Sequence, residues 1–242
     1  MHPEAAPPES EPFGRVARRE GMTRALIIGA SGGIGAALVA ALEAERVQVT
    51  ALSRRDDGLE LTDEASVATH LGALSPGFDL VLCATGALEI DGRGPEKALR
   101  QLAPEAMAAQ FAVNCIGPAI VLKHALRLLP RDRPASLAVL SARVGSIGDN
   151  RLGGWTSYRA AKAALNQVVR SAAVELGRSH PQALCVALHP GTVESALTEK
   201  YLARHPAVPP PEAARRLLAV LEGLTPGDSG GFFDQHGKPI PF

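Results

Sequence analysis

The sequence predicts an α/β fold, a single Rossmann-type doubly wound parallel sheet with helices on both faces. Two observations carry that prediction. Short aliphatic runs alternate along the chain with longer helix-patterned segments, and the runs are apolar throughout, as strands covered on both faces must be. RALIIGA (24–30) is the first expected strand, and a helix over 33–45 follows it. VQVTAL (47–52) is the second strand, succeeded by a helix over 63–73 and the strand FDLVLCA (78–84). A long helix is expected over 104–129, with Pro104 in its first turn, where a missing N–H does no harm. ASLAVLS (135–141), a helix over 155–178 and ALCVALH (183–189) complete the pattern, and a helix around 211–223 with the Phe-rich GGFFDQ closes the sheet. No linker or repeat interrupts residues 22–242, so one domain is expected. The preceding MHPEAAPPESEPFGRVARREG (1–21) is rich in Pro and Glu, with no apolar stretch of signal-peptide length. It is expected to be a disordered tail, with Met22 beginning the folded chain.

Composition narrows the function. Lys+Arg and Asp+Glu are both 25 in 242 residues, so charge offers no argument for a nucleic-acid or membrane-surface partner. Cys83, Cys115 and Cys185 are odd in number, form no C-x-x-C pair and sit in apolar surroundings. Buried free thiols in a reducing compartment are expected, with no disulfide or metal site and a cytoplasmic location. No apolar run reaches the ~18–20 residues of a membrane span.

Chemistry is carried by three stretches. GASGGIG (29–35) follows the first strand and opens a helix, where free N–H groups and the positive dipole end accept a pyrophosphate. Tight turns also want glycine, so the cluster gains its meaning from its position. ALSRRDD ends the second strand with Ser53, Arg54 and Arg55 instead of the carboxylate that would hold a ribose 2′-OH. Guanidiniums there favour a 2′-phosphate, hence NADP(H) over NAD(H); the plain alternative is a solvated loop neutralised by Asp56 and Asp57. In TSYRAAKAALN (156–166), Tyr158 and Lys162 stand one helical turn apart. A free phenol is poorly matched to acid–base work near neutral pH. An ammonium ~4 Å away would stabilise phenolate by up to ~4 kcal/mol at an effective dielectric near 20, about three pKa units. The structural alternative is a packed tyrosine beside a snorkelling lysine.

Taken together, GASGGIG (29–35), LELTD (59–63), VNCIGP (113–118), SYRAAKAALN (157–166) and HPGTVES (189–195) resemble the short-chain dehydrogenase/reductase family in content and order, over nearly all of residues 22–242. SARVGSIGDNRLGGWTSYRAAKAALN and SGGFFDQHGKPIPF are similar to its C-factor-like and sniffer-like branch. The resemblance implies Tyr158 as proton donor in reduction, Lys162 on the nicotinamide ribose, and Asn114 holding a water that links Lys162 to solvent. It puts Gly29, Ser31, Gly33, Ile34 and Gly35 around the phosphates, Ser53 and Arg54 at the 2′-phosphate, and Glu60 and Leu61 at the adenine. Ala84 and Gly86 would line the cofactor, while Pro190, Gly191, Val193 and Ser195 would hold the carboxamide and pyrophosphate. Asn114 as a helix-bending residue and 189–191 as a strand-ending turn are the plainer readings.

Two departures from the family pattern stand out. CATG (83–86) replaces NNAG, losing two side-chain amides but keeping Gly86. SARVG (141–145) puts Ala142 where the family has its active-site serine, with Ser141 one step earlier and Ser146 four later. Strand residues alternate faces, so Ser141 substitutes only if the strand has already ended or bulged. The implied activity is interconversion of a small-molecule carbonyl and alcohol by a homodimer or homotetramer. The alternative is a nucleotide-binding regulatory or signalling protein with little turnover.

Overall fold

Six strands form one parallel sheet, in the order β2-β1-β3-β4-β5-β6, in the computed structural model, which describes residues 21–194 and 207–242. They are β1 (Arg24–Ile28), β2 (Gln48–Leu52), β3 (Leu80–Cys83), β4 (Ala135–Leu140), β5 (Ala183–His189) and β6 (Phe232–Asp234). The expected tail, Gly21 apart, lies outside the described residues. The five expected strands are all present, most of them trimmed by one to three residues, and GGFFDQ supplies the sixth, whose Asp234 pairs with His189.

Strand alternation assigns each aliphatic side chain to one of two layers. On one face Leu26, Val81, Leu137, Val139 and Cys185 meet helices α3 (Glu64–Gly72), α5 (Gly117–Ala125) and α6 (Thr156–Ser179). On the other, Ile27, Leu82, Ala138 and Val186 meet α1 (Gly33–Ala44) and α7 (Pro210–Gly223) through Leu38, Leu42, Leu217 and Leu221. All three cysteines are free and buried.

Two segments differ from expectation. SRRDD contains a one-turn helix, α2 (Arg54–Asp57), because Ser53 caps it: the Ser53 hydroxyl accepts from the Asp56 N–H at 3.0 Å. The long helix over 104–129 is broken into α4 (Pro104–Phe111), a π-turn over Ala112–Ile116, and α5. The cause is Pro118, which has no N–H for the carbonyl of Asn114 four residues back, so the ladder slips to a wider turn there. By length and composition the run Pro104–Leu128 is apolar enough to cross a bilayer, contrary to the expectation from uninterrupted runs, because Gln110, Asn114 and Lys123 are spread thinly among apolar residues. Val121, Leu122, Ala125 and Leu128 bury themselves in the sheet's helical layer, as a core helix does.

The chain passes from β1 outward to β2, then returns to lay β3 on the other side of β1. That reversal opens a crevice beyond the carboxyl ends of β1 and β3, the place where doubly wound sheets take ligands.

Candidate functional site

Gly29 leaves β1 at φ +88°, and a Cβ there would lie 2.8 Å from the Ala84 carbonyl oxygen, so the exits of β1 and β3 touch backbone to backbone. A Cβ on Gly35 would lie 2.1 Å from the Gly29 carbonyl oxygen. The glycines thus fold the loop tightly onto the start of α1. Its N-cap, Gly32, offers no side-chain hydrogen bond, leaving first-turn N–H groups open beside half-exposed Ser31 and Ile34. This is a backbone cradle suited to a dinucleotide pyrophosphate.

At the end of β2 the two arginines separate. Arg55 is paired with Asp56 at 3.0 Å, whereas Arg54 remains 80% exposed, with Glu60 Oε2 at 3.8 Å. Ser53 is buried and committed locally: its N–H donates to Asp57 Oδ2 and its hydroxyl to Asp56 Oδ2. Hydrogen bonds from the Thr62 N–H and hydroxyl hold the Glu60 carboxyl below its usual range. Leu61 packs against Gly117 at the rim of the crevice.

Tyr158 and Lys162 lie one turn apart on α6, and both are buried. Their helix begins where Glu96 accepts from the Ser157 N–H and hydroxyl and where the Glu96 carbonyl accepts from the Trp155 N–H. Trp155 then stands edge-on to the Tyr158 ring, centroids 6.4 Å apart. Gly145 lets the segment after β4 press onto α6, since a Cβ would meet the Lys162 backbone at 2.9 Å. Lys162 Nζ donates to the Leu140 carbonyl at 3.0 Å and lies 6.0 Å from the Tyr158 ring centroid. Burial lowers the ammonium to about 8. Burial also pushes the Tyr158 phenol above its ordinary value.

Gly86, after β3, faces Lys162: a Cβ on it would lie 3.1 Å from Asn114 Oδ1 and 3.4 Å from Lys162 Nζ. Asn114 is fully buried at the π-turn. Its Oδ1 accepts from the Ala87 N–H at 3.0 Å, and its Nδ2 donates to the Ala87 carbonyl at 2.8 Å and to Gln110 Oε1 at 2.7 Å. Its side chain is therefore fully used. Its main-chain carbonyl is the group that Pro118 deprives of an ordinary helical donor.

Ser141 does not take the place that Ala142 vacates. The ladder continues through it, as its N–H donates to the Leu188 carbonyl at 2.8 Å. It therefore faces the same layer as Leu137 and Val139, and its hydroxyl donates to Asn166 Oδ1 on α6 at 2.7 Å. β4 itself ends at Leu140, but the pairing with Leu188 carries the alternation one residue further and commits the Ser141 hydroxyl to Asn166.

Pro190 and Gly191 follow β5, with Gly191 at φ +80° against the Gln235 side chain. Val193 is buried and bridges to Val208, while Ser195 lies outside the described residues. The crevice thus gathers the glycine loop, Ala84, Gly86, Asn114, Tyr158, Lys162 and the 190–193 turn; Arg54 and Glu60 stand on its rim. Sequence reasoning missed Gln110, Glu96 and Gly145. Gln110 had a readable signal, being one helical turn before Asn114; Glu96 lies 61 residues from Ser157 and had none. His189 was read as the end of a strand and the start of a turn; its buried Nδ1 has no partner among the described residues, and burial, with Arg143 nearby, lowers the ring to about 4.

Residues 59–209 match the family model described as "Enoyl-(Acyl carrier protein) reductase". The chain is 36% identical to the C-signal protein of Myxococcus xanthus over 137 residues, covering 56% of this chain and 78% of that protein. It is 31% identical to 1-hydroxy-2-glutathionyl-2-methyl-3-butene dehydrogenase of Rhodococcus sp. strain AD45 over 185 residues, 75% of this chain and 77% of the relative. Its fold superposes on the NADPH-bound carbonyl reductase from chicken fatty liver with a TM-score of 0.76 at 22% identity, covering 96% of this chain and all of that one.

Proposed function

Because the chain belongs to the short-chain dehydrogenase/reductase family of NAD(P)-dependent oxidoreductases, we propose that it interconverts a small-molecule carbonyl and its alcohol with NADP(H), Tyr158 acting as general acid and base. The observation that carries this reading is the buried Tyr158–Lys162 pair on α6, with Lys162 Nζ against Gly86 just after β3. The chemistry that the nicotinamide supplies when bound is hydride transfer to or from carbon. The glycine cradle fits its pyrophosphate, with Gly29, Ser31, Gly33, Ile34 and Gly35 around the phosphates and Gly191 and Val193 at the opposite wall. Exposed Arg54, with no carboxylate directly after β2, favours a 2′-phosphate, and the chicken reductase has NADPH bound.

Tyr158 gives its proton to the carbonyl oxygen in reduction and takes it back in oxidation. Burial alone makes the phenol a weaker acid, so the reaction depends on Lys162. An ammonium one helical turn away favours the phenolate electrostatically and so opposes the effect of burial. Lys162 also reaches toward the space over Gly86 where a ribose would lie. A water on the Asn114 carbonyl passes protons between solvent and Lys162. Ser141 engages Asn166 on α6 with its hydroxyl and is assigned no part in the proton transfer.

A second reading, a nucleotide-binding regulatory protein with little turnover, draws on one observation: Ala142 brings no hydroxyl and Ser141 points elsewhere. NADPH oxidation against a panel of aldehydes, ketones and quinones separates the two. Tyr158→Phe should lower reduction by about 10²-fold or more while leaving NADPH binding intact. Binding without reduction in the unmutated protein, and no effect of Tyr158→Phe, decides for the regulatory reading.

A further inference from the structure

β3 ends at Cys83, and the backbone that follows leaves the sheet before passing over Lys162. Buried main-chain groups outside a sheet need other partners. Here they come from two side-chain amides. Asn114 takes both polar groups of Ala87, and Gln110, 5% exposed on α4, donates from Nε2 to the Leu88 carbonyl at 3.0 Å. Gln110 Oε1 also accepts from Asn114 Nδ2 at 2.7 Å. The two amides form a closed clamp of four hydrogen bonds between the exit of β3 and the point where the long helix widens into its π-turn.

Gly86 has no side chain with which to hold itself, and its neighbours on the inner side are Asn114 Oδ1 and Lys162 Nζ. We infer that Gln110 is a positioning residue: through Asn114 and the Leu88 carbonyl it fixes Gly86 against Lys162 and so sets the floor on which the nicotinamide ribose rests. The inference deepens the oxidoreductase reading and rests on it for the ribose. The clamp itself belongs to the free protein.

Two substitutions test it. Gln110→Met keeps the length of the side chain and removes both hydrogen bonds. Gln110→Glu keeps the shape; protonated, it can donate to the Leu88 carbonyl and accept from Asn114, but ionised it only accepts. The measurements are amide hydrogen exchange at Ala87 in the ligand-free protein and NADPH affinity by fluorescence titration across pH. Turnover provides a third reading. Gln110→Met should speed exchange at Ala87 and weaken NADPH about tenfold, since small misplacements far from the chemistry are felt at the site. Gln110→Glu should match the unmutated protein at low pH and lose affinity as its carboxyl ionises. A residue that merely fills space would show no such titration. Unchanged exchange at Ala87 with unchanged NADPH affinity in Gln110→Met overturns the proposal, as does a pH profile of Gln110→Glu parallel to the unmutated protein. If the unmutated protein binds no dinucleotide, the oxidoreductase reading fails, and exchange at Ala87 alone decides the clamp.

Discussion

Replacing Lys162 by Met should remove turnover and at the same time erase a pH dependence of stability in the ligand-free protein. The ammonium is 2% exposed and, among the described residues, is paired with no carboxylate, donating instead to the Leu140 carbonyl. Burial brings it from the ordinary 10.5 down to about 8, a difference of about 3 kcal/mol against the charged form in the fold. The sign follows from proton counting. The unfolded lysine keeps its proton to about 10.5 and the folded one releases it near 8, so between those values the unfolded chain binds more protons. Unfolding free energy then rises with pH through that window by about 3 kcal/mol and is flat below it. The buried thiols act in the opposite sense: burial raises Cys83, Cys115 and Cys185, so the unfolded chain loses those protons first and stability falls at high pH. Cys185 cancels between the two proteins, while Lys162 also lowers Cys83 and Cys115, so the difference between the two curves reports the lysine together with its hold on those two thiols. Methionine keeps the stem and gives up the bond to Leu140, worth about 1.5–3 kcal/mol for a charged donor, so stability near pH 7 should change little or rise slightly. Denaturant titrations of both proteins from pH 6 to 10.5 supply the curves. Parallel curves would refute the reasoning, because they would mean that the lysine ionises alike in the folded and unfolded states.

Arg54→Ala should lower the preference for NADPH over NADH about tenfold, the worth of one charge-assisted phosphate contact, with no change in melting temperature; equal affinities in the unmutated protein exclude a 2′-phosphate contact. Gly35→Ala puts a Cβ 2.1 Å from the Gly29 carbonyl oxygen, so the cradle must move. Cofactor affinity should collapse and stability should fall by about 1–3 kcal/mol; retained affinity would show that the pyrophosphate sits elsewhere. Ile116, at the end of the π-turn before α5, and Val174 on α6 are each 52% exposed, and these helices carry more apolar surface than one sheet covers. A dimeric or tetrameric mass by light scattering at micromolar concentration is expected, and a strictly monomeric one would be the contrary finding.

Much of the fold could be read from the chain because local and global signals agree. Runs such as ALCVALH are apolar on both faces, and GASGGIG marks the strand-to-helix turn by a stereochemical need that only glycine meets. The pair Tyr158 and Lys162 was legible because both residues sit on one helix, where spacing alone places them side by side. Reading failed where geometry depends on what a distant segment does. Ser141 looked able to replace the missing hydroxyl, yet the pairing partner Leu188 extends the ladder past the end of β4 and turns it inward. The long helix looked continuous although Pro118 stood in plain view, and the amide hydrogen bonds at the break join segments too far apart in sequence to be read together. The Leu140 carbonyl as a partner for the Lys162 ammonium was not legible either, because it lies 22 residues away on another element.

α2 spans four residues and none of its side chains is buried. Its arginines can be exchanged at almost no energetic risk to the fold, whereas Tyr158 and Lys162 are embedded in the core of α6. If Arg54 and the Tyr158–Lys162 pair hold the roles proposed above, cofactor preference and catalytic capacity drift at different speeds under mutation. A lineage carrying this architecture can move between nicotinamide pools by trading a few surface charges, long before anything obliges it to surrender its reaction.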